Sequence, residues 1–360
     1  MNIGFIISAC LYDGGAERVI TNLSNQFIED HINVVIITPT RNEHDYYLQP
    51  SIKRYYYEDS ISGSSPRFIR PLKRIRYIRE ICKRENLDVL ISFLPGAVTY
   101  GSIATLGIRT KSIASERNDP NRTYPTCMRR IWGKLVFGLA DFSVFQTPDA
   151  RFWFQDSVQK KSRIILNPVA DVFYCTPRNP IPNLFVSCGR LVEQKNQVML
   201  IEAFANARNT NPDIRLYIYG EGHLHDVLQE KIDCLHMNEA IKLCGSTDGV
   251  PRALADAEYF VLSSDFEGAP NALMEAMAMG IPSISTDCPC GGPKMLNNDK
   301  KVIELVPVGD TVALSDAICL LVQNKKIAYD LAEAGKIRSK DFTTGAVKKQ
   351  WLDVIEKIVK

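Results

Sequence analysis

Short apolar runs alternate along the chain with stretches of helical period. Asn2–Ser8, Asn33–Thr38, Asp88–Phe93, Lys111–Ser115, Phe142–Phe145 and Arg163–Leu166 are rich in β-branched and aromatic residues and predict strands. Helical patterns fall between them at Glu17–Ile28, Arg70–Glu85, Val98–Leu106 and Cys127–Leu139. This rhythm predicts an open parallel sheet with helices on both faces. It then starts again. Asn183–Cys188, Ile214–Tyr219, Ala240–Leu243, Tyr259–Ser263, Pro282–Ser285 and Val302–Leu305 read as a second set of strands. Helices are expected at Gln197–Asn206, His223–His236, Pro270–Met279, Thr311–Gln323 and Ile327–Lys336.

Between the sets, Asn167 to Pro182 is rich in proline and lacks periodicity, which suggests a linker. The expected organisation is an N-terminal domain over 1–167, a C-terminal domain over 168–345 and a last helical stretch, 346–360, that packs back on the N-terminal domain. The fold class is α/β: two Rossmann-like doubly wound domains facing each other across a cleft. Ligands in such folds sit at the carboxyl ends of the strands.

Charge refines this picture. Residues 1–175 carry 23 Lys+Arg against 17 Asp+Glu, while the remainder carries 20 against 24, so the basic half is suited to an anionic partner. Arg67 to Arg84 holds eight Lys+Arg and a single acid, Glu80, with Ile69, Leu72, Ile75, Ile78 and Ile81 read as one apolar stripe. A packed helix with a solvated face and a helix docked on anionic lipid both fit it. Arg129, Arg130 and Lys134 form a smaller basic group with Trp132 and Phe137 near it. No nucleic-acid recognition motif accompanies these charges, so no nucleic-acid partner is expected. The ten cysteines lie mostly in apolar runs, and Cys288-x-Cys290 has no second pair at metal-ligand spacing, so buried free thiols are expected and a metal is not. No apolar run reaches a membrane-spanning length, and Met1-Asn2-Ile3-Gly4 lacks a signal-peptide pattern, so the expected place is the cytoplasm or the inner face of a membrane.

Three motifs follow strands. Asp13-Gly14-Gly15-Ala16-Glu17-Arg18 opens the first helix, where amides and the helix dipole suit phosphate; its glycine spacing is not that of a dinucleotide fingerprint, and a plain tight turn also fits. Gly189-Arg190-Leu191-Val192-Glu193-Gln194-Lys195-Asn196 places two cations five residues apart before a helix. An arginine fork and a lysine point charge can neutralise a departing diphosphate, although solvated surface charges read the same way. Phe266-Glu267-Gly268-Ala269-Pro270-Asn271-Ala272-Leu273-Met274-Glu275 sets one carboxylate in a loop and another on a helix, suited to sugar hydroxyls and a ribose diol, with intervening amides as donors. Two glutamates eight apart are by themselves ordinary solvated residues.

Together these segments resemble the retaining glycosyltransferases of family 4, whose fold is GT-B. The likeness runs from Gly14-Gly15 to Val306-Pro307-Val308-Gly309-Asp310 and is strongest over Gly189–Asn196 and Glu267–Pro282. The Gly14–Arg18 start is similar to the subset that builds bacterial surface polysaccharides and lipid-linked oligosaccharides. The resemblance implies that Arg190 and Lys195 hold the donor diphosphate, Glu275 the ribose and Glu267 the transferred sugar. The backbone amides of Gly268, Ala269 and Asn271 would assist as donors, with Pro270 lining the same donor site between them, Gly15 would approach the diphosphate, and the base would lie near Gly245. Tyr219-Gly220-Glu221-Gly222 matches a further landmark of the family and is expected to line the same cleft.

Glu267, Arg190 and Lys195 are thus the implied catalytic residues, with no metal and no cofactor, and with a nucleotide-sugar, UDP-linked by preference, as substrate. The implied reaction moves a hexose or N-acetylhexosamine with retention to a glycan or polyprenyl-linked acceptor. Ser115-Glu116-Arg117-Asn118 departs from relatives that carry histidine where Arg117 stands. An arginine cannot be a general base, so Arg117 would instead stabilise phosphate or orient the acceptor; Glu116, Arg117 and Asn118 are acceptor-side candidates, with a surface loop as the alternative. None of the five histidines has a catalytic setting. A sugar-nucleotide epimerase and a non-catalytic sugar-nucleotide or membrane-binding subunit are the rival functions.

Overall fold

In the computed structural model of the protein the apolar runs form two wholly parallel sheets; residues 12–13, 62–65, 248 and 298–299 aside, the whole chain is described. The first contains β1 (Asn2–Ile7), β2 (Asn33–Thr38), β3 (Lys53–Tyr56), β4 (Val89–Phe93), β5 (Lys111–Ser115), β6 (Phe142–Phe145) and β7 (Ser162–Ile164), in the order β3-β2-β1-β4-β5-β6-β7. The second contains β8 (Leu184–Cys188), β9 (Arg215–Tyr219), β10 (Ile241–Leu243), β11 (Tyr259–Leu262), β12 (Ser283–Thr286) and β13 (Glu304–Val306), in the order β10-β9-β8-β11-β12-β13. Strands β4, β8 and β11 are buried at every residue, as sheets covered on both faces require. Each sheet reverses its strand order once, at β1/β4 and at β8/β11, and crevices form at such switch points.

Contacts divide the chain into two units, Met1–Pro168 with Thr344–Lys360, and Val169–Thr343. The last helix, Thr344–Val359, lies in the first unit. Its Trp351 is fully buried with its ring 6.0 Å from that of Phe93, and Lys348 pairs with Asp30 at 2.7 Å.

Several expectations need correction. The edge strand β3 was not anticipated, because Lys-Arg-Tyr-Tyr is half-exposed and charged; Lys53 pairs with Glu85 at 2.7 Å, and the Tyr55 hydroxyl donates to the same carboxylate at 2.6 Å. The proline-rich stretch is no free tether. Asn179 and Ile181 donate backbone N–H groups to the carbonyls of Ala255 and Asp256, and Arg178 donates to the carbonyls of Gly280 and Ala257 at 2.6 and 2.7 Å.

The stripe on Arg70–Arg84 is only half real: Ile78 and Ile81 are buried, whereas Leu72 is exposed. A three-residue spacing falls about 60° short of a full turn at each step, so five such residues cannot share one face. Phe137 turns inward, its ring 4.3 Å from Phe154 and away from the basic group. All ten cysteines are free, but Cys127, Cys175 and Cys234 are exposed rather than buried. Among the described residues no helix is long and apolar enough to cross a membrane.

Candidate functional site

The second unit's switch point brings the loops after β8 and β11 together. After Cys188 the chain turns through Gly189 and Arg190 into the 3-10 turn Glu193–Lys195. Asn196 then takes a left-handed conformation (φ 45°) and caps the helix Gln197–Arg208, its side chain accepting from Met199 N. The Asn196 amide also donates to Asp265 Oδ1 at 2.7 Å, which ties this turn to the β11 loop. Gln194 Nε2 donates to the Phe266 carbonyl at 2.9 Å, and Asp265 N returns a bond to the Gln194 carbonyl at 2.8 Å. The two loops are thus laced by backbone and amide groups and by the Asp265 carboxylate, leaving the Lys195 and Glu267 side chains to other work.

Those charged side chains meet. Lys195 Nζ lies 2.5 Å from Glu267 Oε1, and Ser264 Oγ donates to the same oxygen at 2.7 Å. Glu267 is buried and Lys195 half-buried. Arg190 is exposed, and among the described residues its guanidinium forms no ion pair or hydrogen bond. Glu275 is buried in the second turn of the helix Asn271–Ala278. That helix opens at Asn271, one residue later than expected, because Pro270 is extended (ψ 99°) at the capping position. Burial pushes the Cys188 thiol up, and the nearby Glu275 carboxylate adds to the rise. Cys288 is pushed up to about 12, first by burial and then by Glu267. These cysteines are therefore neutral walls beside the two carboxylates, not nucleophiles.

Gly268, Ala269 and Pro270 are buried and held by a turn that the sequence reading passed over. A Cβ on Gly292 would stand 1.6 Å from the Gly268 carbonyl oxygen, so only glycine lets the Cys290-Gly291-Gly292 turn come so close. On the other flank, Gly220 (φ 143°) follows β9, and a Cβ there would lie 1.9 Å from the Gly189 carbonyl oxygen. Gly220 N donates to the Gly245 carbonyl at 2.8 Å, while Ser246 Oγ donates to Glu221 at 2.9 Å. Arg190, Lys195, Gly220, Gly245, Glu267, Gly268 and Glu275 thus all follow strands β8 to β11 at one end of one sheet.

The remaining candidates belong to the first unit. Asp13 lies outside the described residues. Gly15 is exposed at the start of the helix Gly15–Glu29, with the Glu17 carboxylate folded back near Gly14. Glu116 is buried after β5 and accepts from the amides of Arg117 and Asn118 at 3.0 and 3.2 Å. Burial raises its carboxyl to about 7, against those hydrogen bonds. Arg117 does not sit on an open loop. Its guanidinium lies 3.9 Å over the Phe93 ring and 5.5 Å from that of Trp351, and Nη1 donates to Asn167 at 3.2 Å. Among the described residues Nε and Nη2 are buried without a hydrogen-bond partner, and burial lowers the guanidinium's pKa while Glu116 opposes the change. His223 instead pairs with Glu193 in solvent.

Sequence reasoning missed Ser264, Asp265 and Gly292, and it named Asn196 and Cys288 without the roles they take here. The signals were present: a serine three residues before Glu267, and Gly-Gly-Pro after a strand.

Paired Rossmann-like parallel domains with charged loops at a switch point are the architecture of GT-B glycosyltransferases, and solved structures agree. The chain is similar to Anabaena HepE in complex with UDP (TM-score 0.84, 15% identity, 99% of this chain and 100% of that one). It is equally similar to sucrose-phosphate synthase from Thermosynechococcus elongatus (TM-score 0.84, 16% identity, 99% of each).

The sequence model of Glycosyltransferase Family 4 matches residues 13–171, and that of Glycosyl transferases group 1 matches 182–324. The chain belongs to glycosyltransferase family 4 and is a glycosyltransferase. Among its relatives is a Campylobacter jejuni enzyme named GalNAc-alpha-(1->4)-GalNAc-alpha-(1->3)-diNAcBac-PP-undecaprenol alpha-1,4-N-acetyl-D-galactosaminyltransferase, 28% identical over 99% of each chain. Another is the Rhizobium meliloti lipopolysaccharide core biosynthesis glycosyltransferase LpsE, 28% identical over 90% of each.

Proposed function

We propose that this enzyme transfers a hexose or N-acetylhexosamine from a nucleoside-diphosphate sugar, UDP-linked by preference, to a hydroxyl of a lipid-linked glycan in surface polysaccharide or glycoconjugate synthesis. The observation that carries the reading is the Lys195–Glu267 pair at the β8/β11 switch point, with the exposed Arg190 guanidinium in the same loop. Arg190 and Lys195 take the diphosphate, where negative charge grows as the bond to the sugar breaks. Glu275 takes the ribose diol, Glu267 a sugar hydroxyl, and the amides of Gly268, Ala269 and Asn271 add fixed donors.

The step is a front-face substitution with retention. The bond from the anomeric carbon to the phosphate oxygen breaks with its electron pair leaving on the diphosphate. The acceptor oxygen bonds to the same face, and its proton passes to the leaving phosphate. The cations do the neutralising that a divalent ion would do, so no metal is required. The undecaprenol-linked acceptor named for the Campylobacter relative favours a lipid-linked substrate here, with the enzyme peripheral on the cytoplasmic face of a membrane.

The test is a donor screen with UDP- and GDP-sugars, followed by acceptor trials and NMR of the product. Retained configuration and turnover insensitive to EDTA are expected. Inversion, or epimerised donor formed without acceptor, would refute the reading.

A further inference from the structure

A lipid-linked acceptor brings the enzyme to a bilayer surface, and the following inference rests on that part of the proposed function. The basic helix Arg70–Arg84 spends much of its charge internally. Arg74 pairs with Glu58 at 2.6 Å and donates to the Tyr100 hydroxyl; Arg79 donates to the carbonyls of Ala104 and Leu106. Arg84 lies 4.7 Å from the Tyr55 ring centre.

The helix Cys127–Leu139 is different. It buries only Gly133, Val136 and Phe137, with Gly133 set directly against the Tyr124 ring. Its other side exposes Met128 (82%), Ile131 (63%), Trp132 (47%), Leu135 (49%) and Leu139 (37%). At 3.6 residues per turn these five fall within an arc of about 100°, so they form a single outward stripe. A stripe of that width ordinarily faces a core, and here it faces out. Arg129 lies on one flank and Arg130 and Lys134 on the other, all exposed, and the helix holds no acidic residue. Arg130 Nε donates to the Tyr124 carbonyl at 3.3 Å and Lys134 Nζ lies 5.0 Å from the Trp153 ring centre, contacts that leave neither charge neutralised by an acid among the described residues. Trp132 Nε1 donates to Thr99 Oγ1 at 3.2 Å, which fixes the stripe to the helix Pro95–Ala104. The helix Arg70–Arg84 packs on that same helix and exposes Leu72.

We propose that the helix Cys127–Leu139 lies in the plane of an anionic bilayer, with Met128, Ile131, Trp132, Leu135 and Leu139 in the headgroup–acyl boundary and its three cations among the lipid phosphates. An outward apolar stripe flanked by cations, with an aromatic residue on it, is the arrangement of an interfacial helix. A second copy of the chain fits less well. A two-fold contact sets the same patch against itself and would oppose cations to cations.

The test is flotation of the full chain with phosphatidylcholine vesicles, with and without phosphatidylglycerol. Wild type should float with the anionic vesicles, and salt should weaken this binding. Tryptophan emission should shift to the blue on binding, and Trp132→Phe should abolish the shift. Ile131→Ser/Leu135→Ser should lose at least about tenfold in partition with an unchanged melting temperature, since both side chains are already exposed. A double variant that floats as wild type does would overturn the proposal. So would a wild type that ignores vesicles and forms a dimer which the double variant dissolves. UDP-sugar thermal shift is measured in parallel. Vesicle binding without nucleotide binding would sink the donor reading alone, and nucleotide binding without vesicle binding would sink the membrane helix alone.

Discussion

Lys195 Nζ and Glu267 Oε1 stand 2.5 Å apart although 72 residues separate them in sequence. The contact exists because β8 and β11 are neighbours where the strand order of their sheet reverses. Removing one partner strands the other in a poorly hydrated position, which costs about 1–3 kcal/mol. Lys195→Met and Glu267→Gln should each lower stability, and the double variant should lose less than the sum of the two. Urea denaturation of the four proteins measures the coupling. Turnover of each single variant should fall by about 100-fold or more, as losses of charge-stabilising groups do.

Gly292→Ala tests the support beneath the Glu267 loop. The added methyl would sit 1.6 Å from the Gly268 oxygen and 3.1 Å from Pro270 Cδ, so the loop must move. Sugar-nucleotide affinity should weaken at least about tenfold, because a displacement of 1 Å is enough to spoil a preorganised site. Calorimetric titration reads it; unchanged affinity would show that the loop does not touch the donor.

Glu116 makes a pH prediction. Its folded carboxyl titrates at about 7, raised from 4.5 by burial. Between those values the folded state keeps a proton that the unfolded state has released. Stability from this group is therefore full below about 4.5 and is lost as pH rises through about 7. Glu116→Gln cannot ionise, so its melting temperature should gain on wild type by a few degrees from pH 5 to pH 8. A difference that stays flat with pH would contradict the shift.

Arg117 separates packing from function. A methionine would keep much of the contact with Phe93 and Trp351 and would remove two buried N–H-bearing nitrogens that lack partners among the described residues. Stability of Arg117→Met should hold or rise slightly. If Arg117 orients the acceptor, the KM for acceptor should rise about tenfold while donor affinity stays the same. Steady-state kinetics with each substrate varied distinguishes that from a purely structural residue.

Much of this was legible in the sequence, for a physical reason. Strands such as β4 and β8 are buried on both faces, so they read as near-continuous apolar runs bounded by turns; Gly189 and Arg190 follow such a run directly, and Glu267 comes five residues after the end of another. Strand β3 escaped because an edge strand of Lys-Arg-Tyr-Tyr is charged and only partly buried, its Tyr55 packing against the core while the rest carries no apolar run. The stripe on Arg70–Arg84 misled because a three-residue spacing resembles helical period over one turn and drifts over several. What joins Lys195 to Glu267 is strand order, and no local pattern records strand order. The same holds for Gly292, whose role depends on a backbone 24 residues earlier coming close in space. Arg117 looked like a loop residue because its aromatic neighbours come from β4 and the last helix, far away in sequence.

Every role assigned to the second unit depends on the β8/β11 switch point binding a donor diphosphate. Titrating UDP into wild type and into Arg190→Ala tests it most directly, since Arg190 is exposed and its removal leaves the core intact. UDP should bind wild type and should bind Arg190→Ala at least about tenfold more weakly at the same melting temperature. Equal affinity for the two proteins would contradict the assignment.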